Sequence, residues 1–318
     1  MSPAAPRVIT ATLNPAVDLT LTVPSPRLGV LNRAHSLQRD ASGKGINVSL
    51  ALARLGRPST AIALLGGMAG ASIEQALQGT GIALRAVPIQ GETRYNVKIV
   101  DETTGQLTEF NSMGPAIRPE EFEAFKGQLL AAIHPGDMVV FSGSLPLRTS
   151  PTTYRDLARL TQEEGALAVV DTHGDALRYA LEAEPFLVKP NRDEAQEVLG
   201  FPLDNEEAVL QAARRFHEAG ARRVVLSLGA DGSLFFGPEG AVRAWPPSVA
   251  VQSTAGCGDA LLAGTILGLV TGSTWEEAAR FATAVSAATA EMAGTSFPTY
   301  EQAVQLLPRV RVEILADR

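Results

Sequence analysis

Short β-rich runs alternate with helical patterns through most of the chain. The helical segments begin after residues that cap helices well, such as Asn191 and Asn205. We predict strands at Thr60–Leu65, 138–141, 167–170, 186–188 and 224–228, and helices at 151–162, 192–199 and 206–219. Alternation of this kind predicts a mainly parallel sheet that is covered by helices on both faces.

Polar or glycine-rich segments directly follow these predicted strands. They lie at 142–144, 171–174, 189–191 and 227–229. Ligands of parallel α/β sheets bind beyond the carboxyl ends of the strands. The sequence therefore predicts a ligand site where these segments meet, at one edge of the sheet.

Two segment pairs break the alternation and have the pattern of β-hairpins. The first joins 18–23 to 34–39, and the second joins 94–100 to 105–111. Because they lack flanking helices, we expect them to form a small separate sheet that covers the site as a lid. The predicted division is an α/β core at 1–12, 40–92 and 112–318, with the lid at 13–39 and 93–111.

Composition narrows the possible classes of protein. With 318 residues, 45% of them hydrophobic, the chain can fill the core of one large domain. A net charge of −7 disfavours nucleic acid as a partner. Its longest apolar stretch is too short to cross a membrane. The single cysteine, Cys257, excludes an internal disulfide, and together these features predict a cytoplasmic protein.

The run 253–260 carries the strongest chemical signal: Ser253-Thr254-Ala255-Gly256-Cys257-Gly258-Asp259-Ala260. Small residues allow backbone N–H groups to approach an anion, and the apolar run after Asp259 supplies a helix whose positive end faces it. A carboxylate beside bound phosphate suits phosphoryl transfer, since it accepts the proton of the attacking hydroxyl. The alternative for this run alone is a glycine-capped turn before a core helix.

Six ordered motifs between Thr12 and about Glu291 resemble the PfkB (ribokinase-like) sugar kinase family. They are the runs at 12–18, 42–49, 141–146, 187–194, 227–232 and 253–260. The resemblance implies a ribokinase-like three-layer α/β/α core with a mainly parallel sheet, plus a small β-sheet lid. Within the family, the run 91–98 and the Lys44-Gly45-Ile46-Asn47-Val48 run are most similar to the bacterial 1-phosphofructokinase group.

The resemblance implies roles for the sugar side of the site. It assigns Asp259 as the catalytic base, with the backbone N–H groups of Ala255, Gly256, Cys257 and Gly258 as the anion hole. It implies that Asp18, Gly43 and Asn47 bind the sugar, and that Lys44 and Arg94 face its existing phosphate. For a lone cation the alternative is a solvated surface charge. Cys257 replaces the usual alanine, and its thiol is either buried and inert or activated by the helix N-terminus.

The resemblance also implies a nucleotide side, with ATP and Mg²⁺ as cofactors. The residues it assigns to ATP are Lys189, Asn191, Ser227, Gly229 and Gly232. Glu194 is expected to organise Mg²⁺, largely through water. Asn191 and Glu194 also match a helix capping box, and the two interpretations are compatible. Asp171 is a possible polar support, and the four histidines show no metal-ligand spacing.

The predicted reaction is the ATP-dependent phosphorylation of fructose 1-phosphate to fructose 1,6-bisphosphate. The alternatives within the family are a tagatose-6-phosphate kinase and a 6-phosphofructokinase, and the alternative from another class is a sugar-phosphate sensor without turnover. The exposed lid edges predict a homodimer through the lid. The roles of Arg33, Lys98, Glu109 and Arg148 stay open.

Overall fold

The computed structural model describes residues 6–315 of the chain. The two ends of the predicted core, at residues 1–5 and 316–318, lie outside this range. None of the helices within it has both the length and the apolar character that a membrane span requires.

Fourteen strands form two sheets. They are β1 (Val8–Thr12), β2 (Ala16–Val23), β3 (Ser36–Ser42), β4 (Thr60–Leu65), β5 (Ala83–Pro88), β6 (Arg94–Asp101), β7 (Leu107–Asn111), β8 (Met138–Ser142), β9 (Leu167–Asp171), β10 (Leu187–Val188), β11 (Val224–Ser227), β12 (Ser233–Gly237), β13 (Gly240–Trp245) and β14 (Arg311–Leu315) within the described residues. The five strands predicted from the apolar runs are all confirmed, with bounds that differ by one residue at most.

Ten α-helices connect these strands within residues 6–315. They are α1 (Lys44–Arg54), α2 (Gly67–Leu77), α3 (Pro119–Leu130), α4 (Thr153–Glu163), α5 (Gly174–Ala180), α6 (Arg192–Leu199), α7 (Glu206–Glu218), α8 (Cys257–Thr271), α9 (Trp275–Ala290) and α10 (Tyr300–Leu306). The three helices predicted at 151–162, 192–199 and 206–219 correspond to α4, α6 and α7. The side chains of Asn191 and Asn205 cap α6 and α7, as their positions before these helices predicted.

The large sheet has ten strands in the order β14-β13-β12-β11-β10-β9-β8-β1-β4-β5. Its strands from β11 to β5 are parallel, whereas β12, β13 and β14 extend the sheet in antiparallel pairs. The sheet is therefore mainly parallel, as the alternating pattern predicted. The strand β1, the edge strand β5 and the antiparallel extension were not among the predicted strands.

Alternating residues of the central strands supply two separate cores. In β8, Val139 and Phe141 pack with residues of α3 to α7 on one face. Met138 and Val140 of the same strand pack with α1, α8 and α9 on the other. This period of two is why the strands are apolar throughout. The three-layer α/β/α architecture is confirmed.

The second sheet has four strands in the order β3-β2-β6-β7. Both predicted hairpins form, as antiparallel pairs β2–β3 and β6–β7. Strands β2 and β6 pair in parallel and join the two hairpins. The strands lie within 13–39 and 93–111, except that β3 continues to Ser42. The small separate sheet is therefore present, and we call it the lid sheet.

Candidate active site

A cavity of about 1390 Å³ lies between the lid sheet and the loops that follow the core strands. Its lining includes every predicted site residue except Glu194: Asp18, Gly43, Lys44, Asn47, Arg94, Lys189, Asn191, Ser227, Gly229, Gly232, Ala255, Gly256, Cys257, Gly258 and Asp259. Of the four residues whose roles stayed open, Lys98 and Glu109 also line the cavity, whereas Arg33 and Arg148 are not part of its lining. Residues predicted from distant motifs therefore meet in one place.

The predicted anion hole lies at the start of α8. Gly256 occupies the N-cap position with a φ of +78°, a conformation that favours glycine. A Cβ atom at this position would lie only 3.1 Å from Cε1 of Phe297 and 3.5 Å from Cγ2 of Thr295. The turn therefore packs closely against the loop after α9. The positive end of α8 suits an anion. Two of the four predicted N–H donors have acceptors within the protein: Ala255 N–H donates to Ser253 Oγ at 3.1 Å, and Cys257 N–H to the carbonyl oxygen of Thr254 at 3.3 Å.

Asp259 lies in the first turn of α8 and is buried. Burial raises the pKa of its carboxyl group to about 6, and the negative charge of Asp171 adds to the effect. The side-chain amide of Asn47 donates a hydrogen bond of 2.7 Å to Oδ2 of Asp259. A carboxylate with a pKa near 6 is deprotonated at neutral pH and is a stronger base than an ordinary aspartate.

Asp171 joins the two lysines of the site. It is fully buried at the end of β9, and its Oδ1 lies 3.3 Å from Nζ of Lys44 and 3.2 Å from Nζ of Lys189. Burial alone would raise its pKa, but the charges of Lys189 and Lys44 outweigh burial and lower it. Ser142 Oγ donates a further hydrogen bond at 3.1 Å. Asp171 therefore stays ionised and fixes both ammonium groups, a larger role than the polar support that its sequence position indicated.

Lys44 reaches from the first residue of α1 to the start of α6. Its Nζ lies 2.9 Å from Oε1 of Glu194. Burial would lower the pKa of Lys44, but the charges of Asp171, Glu194 and Asp259 together raise it. This lysine therefore keeps its charge between carboxylates, which disfavours the alternative of a solvated surface charge.

On the lid side, Asp18 is held by three donors. Its carboxylate accepts hydrogen bonds from Ser42 Oγ at 2.9 Å and Asn96 Nδ2 at 2.9 Å, and it lies 2.7 Å from Nζ of Lys98. Within residues 6–315, Oδ1 of Asn96 and Oδ1 of Asn47 are buried without a hydrogen-bond partner. Two unpaired acceptors in a polar cavity suit a ligand that brings hydroxyl groups.

Arg94 lies where the main cavity meets a smaller one of about 380 Å³. Its guanidinium donates to the carbonyl oxygens of Asn14 at 3.2 Å and Ser112 at 2.8 Å. Burial lowers the pKa of Arg94, although guanidinium groups stay charged in proteins. Since these two hydrogen bonds go to neutral carbonyl oxygens, the charged guanidinium of Arg94 is suited to an anionic ligand.

Asn191 and Glu194 form the capping box of α6. Oδ1 of Asn191 accepts from the Glu194 N–H at 2.8 Å, and Oε2 of Glu194 accepts from the Asn191 N–H at 2.9 Å. The capping-box interpretation is therefore confirmed. Glu194 is linked to the cavity through Lys44 and Asn191, since its own side chain is not part of the lining.

The thiol of Cys257 lies at the N-terminus of α8 and is partly buried. Burial raises its pKa to about 11, and the charge of Asp259 acts in the same direction. Desolvation therefore disfavours the interpretation of an activated thiol. The inert thiol is favoured.

The model of the pfkB family of carbohydrate kinases matches residues 9–302. The chain belongs to this family. It is 37% identical over 307 residues to the 1-phosphofructokinase of Escherichia coli K12, covering 96% of this chain and 98% of that protein. It is also 37% identical over 310 residues to the 1-phosphofructokinase of Rhodobacter capsulatus, covering 97% and 98% of the two chains.

Among solved structures, phosphofructokinase-2 from Escherichia coli in complex with potassium superposes with a TM-score of 0.90 and 31% identity. The match covers 95% of this chain and 98% of that one. A structure described as the tetrameric inhibited form of the same protein has a TM-score of 0.88. These findings confirm the predicted family and fold. The chain is a sugar-phosphate kinase, and its family implies ATP as the phosphate donor.

Sequence analysis missed several residues of this site. It gave no role to Ser42 or Asn96, which orient Asp18, nor to Thr295 and Phe297, which pack on Gly256. Asp171 carried one usable signal, since it ends a predicted strand at the ligand edge of the sheet. Thr295 and Phe297 carried none, because their contact with Gly256 arises only from the tertiary fold.

Proposed function

We propose that this kinase transfers the γ-phosphoryl group of ATP to the free primary hydroxyl of fructose 1-phosphate, which gives fructose 1,6-bisphosphate. The observation that carries the proposal is the buried carboxylate of Asp259, with its raised pKa, beside a helix N-terminus in a cavity that also contains Lys44 and Arg94. The identity of 37% to proteins named 1-phosphofructokinase supports the choice of sugar phosphate.

In the proposed reaction, the sugar hydroxyl oxygen attacks the γ-phosphorus in line with the bond to be broken. The hydroxyl proton passes to Asp259 as the new P–O bond forms. The bond between the γ-phosphorus and the bridging oxygen breaks, and its electron pair leaves with ADP. The N–H groups of 255–258 would stabilise the charge that spreads over the transferring phosphoryl group.

The residues on the lid side are proposed to bind the sugar phosphate. Arg94 and Lys44 would supply positive charge for its existing phosphate. Asp18 and Oδ1 of Asn47 would accept hydrogen bonds from its hydroxyl groups, and Gly43 would let the backbone approach. The unpaired acceptor on Asn47 supports this assignment.

On the opposite side, we propose that ATP lies against Lys189, Asn191 and the loop that contains Ser227, Gly229 and Gly232. No group of three or more metal-ligating side chains occurs within residues 6–315. Mg²⁺ usually keeps several waters and is bound by phosphates and one or two carboxylates. A single carboxylate near the nucleotide therefore fits an ion that the nucleotide carries. Glu194 would hold it through water, and Mg²⁺ would neutralise charge on the phosphates.

The test is ADP release with ATP and Mg²⁺ on fructose 1-phosphate, fructose 6-phosphate, tagatose 6-phosphate and ribose, with kcat/KM compared side by side. We expect the highest kcat/KM on fructose 1-phosphate. A higher value on a 6-phosphate would overturn the proposed substrate and keep the mechanism. The Asp259→Asn protein, assayed in parallel, measures any contaminating kinase.

A 6-phosphofructokinase is the second candidate. The TM-score of 0.90 to Escherichia coli phosphofructokinase-2 favours it, since a solved structure of that protein contains fructose 6-phosphate. Tagatose 6-phosphate stays in the panel because it is also a ketohexose 6-phosphate. A sensor without turnover is disfavoured, because Asp259 and the small residues at 255–258 are retained. Absence of turnover on all four sugars, together with tight sugar-phosphate binding, would support the sensor.

We also propose that the segments 13–39 and 93–111 act as a lid and pair two copies of the chain in the cytoplasm. The lid sheet ends at β3 and β7, and it exposes apolar side chains at Leu37, Leu107 and Phe110. A second copy would cover these edges and side chains. Light scattering at micromolar concentration should give twice the monomer mass. Phe110→Glu places a charge on the exposed apolar surface, so it should lower the measured mass. A monomeric wild-type protein would contradict this.

A further inference from the structure

Arg243, on β13, is an arginine buried in the core of the molecule. Its exposed fraction is only 2%. The carboxylate of Glu206 accepts two hydrogen bonds from it, from Nε at 2.8 Å and Nη2 at 3.0 Å. Burying a charged side chain costs more free energy than burying an apolar one of similar size. A buried arginine at this position therefore calls for a specific role.

The other hydrogen bonds of Arg243 go to backbone carbonyl oxygens. Two of these carbonyls lie at the end of the loop 228–232, and a third, 3.3 Å from Nη1, belongs to Ala244 of β13. Nη2 donates to the carbonyl oxygen of Asp231 at 2.8 Å, and Nη1 donates to that of Ser233 at 3.0 Å. These two carbonyls flank Gly232, which has a φ of +91°. The guanidinium therefore holds the backbone on both sides of a residue in a conformation that favours glycine.

The held loop, 228–232, is a wall of the main cavity. Each of its five residues lines the cavity, whereas Arg243 itself does not. A Cβ atom at Gly232 would lie 2.1 Å from the carbonyl oxygen of Ala244, so the loop is pressed against β13. The carboxylate of Asp231 also lies 2.6 Å from Nη2 of Arg192, in the first turn of α6. The loop is thus fixed between β13 and α6.

We propose that Arg243 is a positioning residue for the nucleotide, because it fixes the 228–232 loop in the conformation that binds ATP. This inference rests on the proposed function, since it takes the nucleotide to lie against this loop. Preorganised backbone avoids the entropy cost of ordering the loop when the ligand binds. Loss of Arg243 should therefore weaken nucleotide binding and leave the sugar side unchanged.

The experiment measures the affinity for a non-hydrolysable ATP analogue by calorimetry, without sugar, and the KM values for both substrates. Arg243→Met should weaken analogue binding and raise the KM for ATP by about tenfold or more, the scale of losing charge-assisted hydrogen bonds. The KM for the sugar phosphate should change by less than about twofold. Arg243→Lys keeps the charge without the fork, so it should restore binding in part.

Arg223→Met is the matched control. Arg223 is also a buried arginine, 8% exposed, and it pairs with Glu239. It is not part of the cavity lining, so its loss should lower stability without changing the KM for ATP. If Arg243→Met and Arg223→Met lower stability equally and neither changes nucleotide binding, Arg243 is purely structural and the proposal is wrong.

Glu206→Gln keeps the experiment decisive if Arg243→Met does not fold. The Glu206 side chain is 62% exposed, so we expect the variant to fold. The neutral amide removes the charge of the carboxylate and therefore weakens its pairing with the Arg243 guanidinium. It should raise the KM for ATP by a smaller factor than Arg243→Lys does. Wild-type affinity for the ATP analogue in both Glu206→Gln and Arg243→Lys would overturn the proposal. Failure of the wild-type protein itself to bind the analogue would instead overturn the proposed function.

Discussion

Asn47 donates its side-chain amide to Oδ2 of Asp259 at 2.7 Å, so a residue predicted to bind sugar also holds the predicted base. The other end of the same amide, Oδ1, has no partner within the described residues. A sugar hydroxyl bound there would be linked to the base through one planar group. Binding of the acceptor and orientation of the base are therefore expected to depend on each other.

Asn47→Ala should move the acid limb of the pH profile to higher pH. The pKa of Asp259, raised by burial to about 6, predicts that kcat/KM rises with pH through about 6 as the base loses its proton. The amide of Asn47 stabilises the charged carboxylate, so its removal raises the pKa further. The measurement is kcat/KM between pH 5 and 8. Ser42→Ala, which loses a donor to Asp18, should leave the midpoint in place, and an unmoved midpoint for Asn47→Ala would contradict the coupling.

Asp259→Asn should lower kcat by about 10² to 10⁴, the usual contribution of general base catalysis. The amide retains the shape of the carboxylate, and its oxygen can still accept the hydrogen bond from Asn47. The affinity for the nucleotide should therefore stay within about threefold of the wild-type value. Single-turnover kinetics measure the chemical step directly. Asp204→Asn, at an exposed position outside the cavity, is the control. Unchanged turnover in Asp259→Asn would remove this residue from the mechanism.

The same substitution should stabilise the fold. The folded state raises the pKa of Asp259 from 3.8 to about 6, so it binds the proton more tightly than the unfolded chain does. Stability is therefore lost as pH rises from about 4 through about 6, and the full cost persists above that range. Asp259→Asn removes the cost, which is on the order of 3 kcal/mol at pH 8. Urea unfolding should show this gain at pH 8 and little gain near pH 4.

Gly256→Ala should abolish most activity, whereas Gly272→Ala should not. Both glycines have a φ of +78°, so each substitution costs about 1 to 2 kcal/mol of stability from backbone strain. Only at Gly256 would the new Cβ atom press on Phe297 and shift the anion hole, because nothing lies within 4 Å at Gly272. Thermal unfolding and kcat together separate the two effects. Equal activity in both variants would show that the turn at Gly256 does not contact the reacting group.

Cys257 should react slowly with iodoacetamide in the folded protein. With a pKa of about 11, only about one thiol in a thousand is ionised at pH 8. Denaturant should accelerate labelling sharply, and the single cysteine makes the signal unambiguous. Cys257→Ala should keep nearly full activity, because the backbone N–H at this position is unchanged. Fast labelling of the native protein would contradict burial of the thiol.

Much of the fold was predictable because it depends on local pattern. The five predicted parallel strands, β4 and β8 to β11, are short and largely apolar, and capping residues such as Asn191 mark helices between them. The antiparallel strands β12, β13 and β14 were not predicted. Arg243 lies in β13 and Arg311 begins β14, so these runs lack the uniformly apolar pattern of a central strand.

The composition of the site was predictable, but its internal pairing was not. Motif order identified Lys44, Lys189 and Asp259, because glycine-rich runs surround them or strands precede them. The sequence did not show that Asp171 binds both lysines, since that contact joins the ends of three different strands or helices. Pairing of this kind depends on tertiary distances, which no spacing along the chain encodes.

The parallel pairing of β2 with β6 has a consequence for the order of folding. Between these two strands the chain forms α1, β4, α2 and β5, which belong to the core. Closing such a long loop is entropically costly until the intervening segment is compact. The lid sheet should therefore assemble after the core and open before it, so native-state hydrogen exchange should be faster in β2 and β6 than in β1 and β8.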